Sequence, residues 1–214
     1  DWTGINGLIE YVGNDKFSAV LQLGSTTQKY QLEHFYTTQP DTKSRKITVN
    51  GGYIKGGANY NMTDRANVFI NVGQISRPPL VDGVFTNADY DFTEAEDITS
   101  EKITSFELGY GYTGSNFKAK VNAYSTVWGD RTFSRSTSIG DQGITIIYDD
   151  VEQTHNGIEG EFTWFPSSRL RLRGMASLGD WKFSKNFNGT SFYNDNGQSA
   201  GETGTTAPRL TNRA

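Results

Sequence analysis

The stretch FKAKVNAYSTVW, residues 117–128, decides the fold class of this chain. Five of its six odd-numbered positions are apolar, namely Phe117, Ala119, Val121, Ala123 and Val127, and its even-numbered positions are Lys118, Lys120, Asn122, Tyr124, Thr126 and Trp128. Successive side chains of a β-strand point to opposite faces of the sheet. The stretch therefore predicts a strand with one apolar face and one polar or charged face.

The same alternation recurs at residues 16–24, 158–164 and 169–178 of the 214-residue chain. Hydrophobic residues make up only 35% of the sequence, aromatic residues make up 13%, and there are 24 glycines, a balance that suits strands and tight turns. No run of about 18 apolar residues occurs, so a transmembrane helix is excluded, whereas a transmembrane β-strand needs only about 9 to 11 residues. The composition predicts an all-β chain and is compatible with a membrane barrel.

The connections between the predicted strands alternate in length. Short turns fall at residues 13–15, 62–65, 113–116 and 166–168, and long polar segments fall at residues 35–46, 77–102, 133–149 and from residue 184 onward. Outer-membrane barrels have short periplasmic turns and longer extracellular loops. We therefore predict an antiparallel transmembrane β-barrel with about eight strands in this chain.

Aromatic residues cluster near the short turns, on the apolar faces. They are Tyr11, Phe17, Tyr60, Tyr110, Tyr112, Phe117, Phe162 and Trp164. Amphipathic rings favour the membrane–water interface, so this set predicts an aromatic girdle at one rim of the barrel. The other faces carry charges that should point into the lumen, and Glu159 and Glu161 are expected to lie across a hairpin from Arg171 and Arg173.

Several classes of function lack their residues. The chain has no cysteine, and its net charge of −4 comes from mixed signs, so neither a thiol site nor a nucleic-acid footprint is indicated. His34 and His155 are isolated in sequence, and the acidic residues between 87 and 97 are interpreted as a solvated loop, so no metal site is predicted. The GxGxxG pattern from Gly109 to Gly114 is interpreted as wall and turn glycines rather than a nucleotide site. We predict no catalytic residue and no cofactor.

Three neighbouring segments carry a family resemblance: YIKGGANYN at residues 53–61, NVFINVG at 67–73 and ISRPP at 75–79. Further matching segments follow at residues 101–103, 106–112, 157–159 and 174–181. Together they resemble the barrel of TonB-dependent receptors of the Bacteroidetes type, over roughly residues 5 to 185.

The resemblance implies that residues 1–214 are part of a TonB-dependent receptor barrel of about 22 strands, with the plug domain and the remaining strands outside this chain. It implies active uptake of a scarce nutrient across the outer membrane of a Gram-negative bacterium, the cargo being a siderophore, heme, cobalamin or glycan. The implied partners are the TonB–ExbB–ExbD complex, outer-membrane lipids and a surface lipoprotein, with no nucleic acid and no enzymatic activity.

Recognition usually lies on the outer loops of such a scaffold. The candidate ligand-binding residues are Trp128, Arg131, Phe133, Tyr148 and Trp181, because aromatic and arginine side chains dominate binding hot spots. An outer aromatic girdle or simple loop packing is the alternative for each residue. The alternatives for the whole chain are a plugless porin-like barrel, a soluble β-rich adhesin or carbohydrate-binding module, and an outer-membrane enzyme with catalytic groups at the outer rim.

Overall fold

A computed structural model describes residues 1–33, 43–85, 94–95, 98–139, 141–193 and 199–205. Its ten strands are β1 (Trp2–Asn14), β2 (Phe17–Tyr30), β3 (Ile47–Thr63), β4 (Ala66–Arg77), β5 (Glu101–Thr113), β6 (Phe117–Ile139), β7 (Gln142–Ser167), β8 (Leu170–Phe183), β9 (Phe187–Tyr193) and β10 (Ser199–Thr205). A single 3-10 turn, Val81–Gly83, is the one helical element in these ranges. None of the described helical structure is long and apolar enough to span a membrane.

Strands β1 to β8 form one antiparallel sheet in chain order, each strand pairing with the next. Two or three residues connect the members of each hairpin at residues 15–16, 64–65, 114–116 and 168–169. These are the four predicted short turns, and the prediction is confirmed. Strands β1 and β8 are the edges of this part of the sheet.

The register brings the apolar positions of neighbouring strands onto one face. One row across the sheet reads Ala19, Ala58, Ile70, Leu108, Ala123 and Ile158. The next row toward the short turns reads Phe17, Tyr60, Val68, Tyr110, Val121 and Gly160. We call this side the outer face and the opposite, polar side the inner face. The alternation in the sequence therefore produces a sheet with continuous apolar and polar surfaces.

The predicted aromatic girdle lies on the outer face near the short turns. Seven of the eight rings are exposed, and Tyr112 is half-buried. Tyr11 and Phe17 lie 6.2 Å apart between ring centroids, and Phe117 and Phe162 stack at the same distance. Large exposed apolar groups on one face need an apolar solvent, which the hydrocarbon core of a membrane provides.

The long segments at residues 133–149 and beyond residue 184 were expected to be loops, and for the described residues of β6, β7, β9 and β10 this expectation is wrong. Strand β6 continues to Ile139, β7 returns from Gln142, and the two pair as a hairpin that extends past the end of β5. We call the end of the sheet away from the short turns its upper end. The upper part of β7 pairs with β9, and β9 pairs with β10. β-branched Thr and Ile residues are frequent in residues 133–149, and pairing satisfies backbone groups that a loop would leave to water.

A hydrophobic cluster lies on the inner face at the mouth, which is the end of the sheet away from the short turns. Ile47, Val49, Val84 and Phe85 are buried together, with Tyr30, Leu32 and Ile98 packed against them. Ile47 and Val49 share the inner face of β3 with Tyr53, so the segment after β4 folds into the mouth. The Tyr30 hydroxyl donates to the Pro79 carbonyl at 2.6 Å and holds this segment in place.

Candidate functional site: an arginine and tryptophan cluster on the inner wall

The inner face of the upper wall holds a row of large side chains. Across strands β3 to β8 this row reads Tyr53, Ile75, Ile103, Trp128, Gln153 and Phe183. The even-numbered positions of β6 face inward up to Trp128, as the alternation predicts. Trp128 is therefore placed in the lumen wall and not in an outer girdle.

A buried carboxylate organises the polar groups above this row. Glu101 is only 7% exposed, and its Oε2 accepts hydrogen bonds from Arg77 Nε at 2.7 Å and from Trp128 Nε1 at 3.1 Å. Arg77 also forms an ion pair with the same oxygen through Nη2. The guanidinium carbon of Arg77 lies 5.2 Å from the Trp128 ring centroid, within the range of a cation–π contact.

Arg131 is stacked between two aromatic rings. Its guanidinium carbon lies 4.0 Å from the Trp128 ring centroid and 4.3 Å from that of Phe133. Its Nε is 3.7 Å from Glu101 Oε1, and its Nη1 donates to Gln153 Oε1. This part of β6 lies above the apolar band, where burial lowers the pKa of the Arg131 guanidinium and the Glu101 carboxylate opposes that shift. The guanidinium remains charged because its ordinary pKa lies far above neutral pH.

Paired irregularities in β6 and β7 position Arg131. The register shifts on both sides of Arg131, whose partner is Val151. The preceding residues in both strands, Asp130 and Asp150, have φ values of 52° and 54°, in the left-handed region. Extra residues re-aim side chains at such bulges, and here Arg131 turns onto the same inner face as Trp128.

Ion pairs hold the two left-handed residues of the bulge. Lys102 Nζ contacts Asp130 Oδ2 at 2.8 Å, and Lys185 Nζ contacts Asp150 Oδ1 at 2.6 Å. A non-glycine residue in the left-handed region is strained, and strained positions persist only where the surrounding contacts hold them. The two lysines supply such contacts.

The other two candidate residues lie close to this cluster without joining its stack. Tyr148 is opposite Phe133 in the hairpin, and its ring meets the edge of Phe187 at 5.5 Å. Trp181 lies one inner row below Trp128, stacks on His155 at 5.7 Å and donates to the Tyr124 hydroxyl at 3.1 Å.

Sequence reasoning selected Trp128, Arg131 and Phe133, which are in contact, but it did not select their polar partners. Arg77 and Glu101 stand in the quoted segments at residues 75–79 and 101–103, where they carried only the family resemblance. Gln153 had no distinguishing signal. Arg77, Glu101 and Gln153 share only the inward parity of their strands, β4, β5 and β7. That parity can be read once the strand register is known.

The lower inner face is polar, but its charges do not pair as expected. Glu161 lies opposite Lys120 and Met175, and Glu159 lies opposite Asn122 and Ser177. Among the ion pairs of the described ranges, none joins either glutamate to Arg171 or Arg173. The two glutamates do lie across the β7–β8 hairpin from the arginines, as predicted, but the turn from Ser167 to Leu170 sets the register so that Arg173 faces Thr163, and the expected charge pairing is wrong.

Amide side chains and a trough complete the lower inner face. Asn59 Nδ2 donates to Asn61 Oδ1 at 2.9 Å, and Asn71 Nδ2 donates to Glu107 Oε2 at 2.8 Å. The concave surface encloses a trough of about 1050 Å³ that is lined by Asn59, Asn71 and Lys120, among others. The donors and acceptors that these contacts leave over can be satisfied by water or by another polar surface.

No group of three or more metal-ligating side chains occurs in the part of the chain that the structure describes. His155 Nε2 is buried and makes no hydrogen bond among the described residues. His34 lies outside the described residues, as do all but Glu94 of the acidic side chains between residues 87 and 97. Gly109 lies under the Phe69 ring and Gly114 lies in the turn after β5, as wall and turn glycines.

Comparisons with known proteins give a family and a fold. Residues 12–214 match the family model described as "TonB dependent receptor-like, beta-barrel". The structure of the copper transporter OprC superposes with a TM-score of 0.65 at 15% sequence identity, over 89% of this chain and 32% of that chain. This chain thus spans about a third of the length of OprC. No curated protein matches the sequence.

Proposed function

This chain belongs to the TonB-dependent receptor β-barrel family, and from that premise we propose that it forms part of an outer-membrane uptake receptor of a Gram-negative bacterium. The observation that carries the proposal is the register of β1 to β8, which gives a continuous apolar outer face and a polar inner face. Lipid accommodates the first face, and a wet or plugged lumen accommodates the second.

Residues 1–214 supply one arc of a larger barrel in this proposal. In the described sheet, β1 and β8 have unpaired edges, and a transmembrane sheet must close because unpaired backbone groups in hydrocarbon cost several kcal/mol each. Further strands of the parent protein would close the barrel, and a plug domain would fill it. Asn59, Asn71 and Lys120 in the lining of the trough offer hydrogen-bonding groups to that plug.

The parent would transport its cargo rather than transform it. Energy would come from TonB, driven by ExbB and ExbD, which displaces the plug after a ligand binds from outside. The resemblance of residues 53–79 to Bacteroidetes-type receptors supports a surface lipoprotein as a further partner. Siderophore, heme, cobalamin and glycan remain the candidate cargoes. OprC is a copper transporter by name, and at 15% identity the likeness carries the fold and not the cargo.

The ligand-contacting wall in this proposal is the inner surface around Trp128, Arg131 and Phe133, with Tyr148 and Trp181 beside it. The aromatic rings and the guanidinium are packed against one another at 4.0 and 4.3 Å, so their positions are set before a ligand arrives. Pre-organised aromatic and arginine groups lower the entropic cost of binding.

The test is growth of the native bacterium, with the parent gene deleted and then restored, on defined iron, heme, cobalamin and glycan sources. Trp128→Ala should reduce growth on one source, because the side chain faces the lumen. The matched control is Val127→Ala, whose side chain faces outward and is 38% exposed. Deletion of TonB should abolish the same growth.

Three results would overturn the proposal. Uptake that is independent of TonB would indicate a porin-like barrel. A parent protein that stays soluble without detergent would indicate an adhesin or binding module. Equal effects of the Trp128 and Val127 substitutions would refute the assignment of the inner wall.

A further inference from the structure

The upper inner wall carries more positive than negative charge. Between the row of Lys55 and the bulge at Arg131, the inward positions of β3 to β8 include three cations, Lys55, Arg77 and Arg131. Glu101 is the one carboxylate at these positions in the described ranges. A wall that carries mainly one sign of charge attracts ligands of the opposite sign.

The single carboxylate is shared among several donors. Glu101 Oε2 accepts hydrogen bonds from Arg77 and Trp128, and Glu101 Oε1 lies 3.7 Å from Arg131 Nε. One carboxylate can neutralise only one of two guanidiniums. Arg131 Nε makes no hydrogen bond to any described residue, although it is buried. Holding a partly desolvated charge without full compensation is costly, so a second oxyanion beside the two guanidiniums would stabilise the cluster.

The accessible member of the pair is Arg77. Its side chain is 46% exposed, compared with 15% for Arg131 and 9% for Glu101. A guanidinium has five N–H donors, and Glu101 engages Arg77 through Nε and Nη2. Arg77 therefore retains N–H donors to which a carboxylate in the lumen can bind in a bidentate manner.

Lys55 supplies a second exposed cation on the same face. Its Nζ lies 5.0 Å from the centroid of the Tyr53 ring, and no ion pair engages it among the described residues. Tyr53 belongs to the same row as Trp128. The cations are thus interleaved with aromatic rings along one wall.

We propose that this wall binds an anionic small molecule through a carboxylate, with Arg77 as the direct contact and Arg131 and Lys55 as supporting positive charges. The inference rests on the proposed function and names the charge of the ligand that the receptor recognises. An open-chain polycarboxylate, as in a metal chelate, and an acidic sugar share this chemistry.

The experiment measures the thermal stability of the full-length receptor in detergent, because a ligand that binds only the folded state raises Tm. The probes are citrate, galacturonate and galactose, with sodium chloride added to keep the ionic strength constant. Galacturonate and galactose differ by one carboxylate, which makes them a matched pair. Citrate and galacturonate should raise Tm, and galactose should not.

The variants locate the effect. Arg77→Gln should weaken carboxylate binding at least about tenfold, since it removes charged hydrogen bonds. Arg77→Lys keeps the charge and the pairing with Glu101 but loses the planar fork, and it should bind with intermediate affinity. Lys55→Gln breaks no ion pair and should also reduce the shift. Arg65→Gln, in a short turn at the opposite end, is the charge-matched control and should leave the shift unchanged.

Each variant is compared with its own ligand-free Tm, so loss of stability alone does not imitate loss of binding. A response to citrate but not galacturonate indicates an open-chain polycarboxylate, and the reverse indicates an acidic sugar. No shift with either carboxylate, or an equal shift in Arg77→Gln and the native receptor, would overturn the inference. TonB-dependent uptake would still stand in that case, whereas loss of TonB dependence with intact carboxylate binding would overturn the proposed function alone.

Discussion

Replacing Val121 with arginine places a charge in the middle of the apolar outer face. Val121 lies between Tyr110 and Gly160 in the register and is 49% exposed on the isolated sheet. It is the fourth residue after Phe117, at the start of β6. At about 3.4 Å per residue and a strand tilt of about 40°, it lies about 10 Å above that rim.

This height sets the expected magnitude. The apolar band of a barrel is about 25 Å tall, so Val121 is close to its midplane, where a lipid-facing arginine costs about 2 to 4 kcal/mol. Asn122→Arg is the matched control, because Asn122 is the next residue and faces inward, opposite Glu159. A new guanidinium beside a carboxylate on the polar side should cost much less than the same group in lipid.

The assay is urea-dependent unfolding of the full-length receptor in lipid vesicles, followed by the heat-sensitive shift in its gel migration. Val121→Arg should lower the free energy of unfolding by the stated amount, and Asn122→Arg should lower it by less. Equal losses for the two variants, or a larger loss for Asn122→Arg, would refute the assignment of the two faces.

Two further predictions concern the wall and the mouth. Gly109→Ala should lower stability by about 1 to 3 kcal/mol in the same assay, because the new Cβ would lie 2.1 Å from the Phe69 ring. In the control Gly56→Ala the new Cβ meets nothing nearer than 3.6 Å, so this variant should be tolerated. Equal losses of stability in the two variants would contradict the packing of Phe69 on Gly109. Glu94→Gln should lower Tm at neutral pH, since the hydrogen bond from Arg45 lowers the pKa of Glu94. A lowered folded-state pKa gives stability that is present above the unfolded pKa and lost as pH falls through the folded value, so the Tm difference should vanish in acid; a difference that persists there would refute the pairing.

Much of the wall could be predicted from residue order alone. Period-two alternation sets which side chains share a face, and the turn residues after β1, β3, β5 and β7 mark where each strand reverses. Both signals are local, because a strand's geometry depends on neighbouring residues. The short turns and the aromatic rim were confirmed for this reason.

The hairpin between the end of β6 and the start of β7 was missed because its sequence signal for strands is weaker. Residues 133–149 contain many Ser, Thr and Asp residues, which occur in loops as well as in strands outside lipid. In the structure these residues pair across β6 and β7 and then with β9. Pairing of β7 with β9 depends on partners 41 to 49 residues away in sequence, from Tyr148↔Gly189 to Ile144↔Tyr193, and alternation does not encode that choice.

The candidate site was predicted in its residue types but not in its assembly. Trp128 and Arg131 were selected as hot-spot residues, while Arg77 was not. Trp128 and Arg131 are an odd number of residues apart, so strict alternation would put them on opposite faces. The register shifts around Arg131 reverse that outcome and bring its guanidinium to 4.0 Å from the Trp128 ring.

The sequence by itself determined that this chain forms amphipathic strands joined by alternating short and long connections, since alternation and turn chemistry act over a few residues. Only the tertiary structure decided that Arg77, Glu101 and Arg131 meet around Trp128 on the inner wall. Those residues come from three different strands, and strand register together with a bulge in β6 sets their distances. Contacts between distant segments depend on the summed geometry of the sheet, which no short stretch of residues specifies.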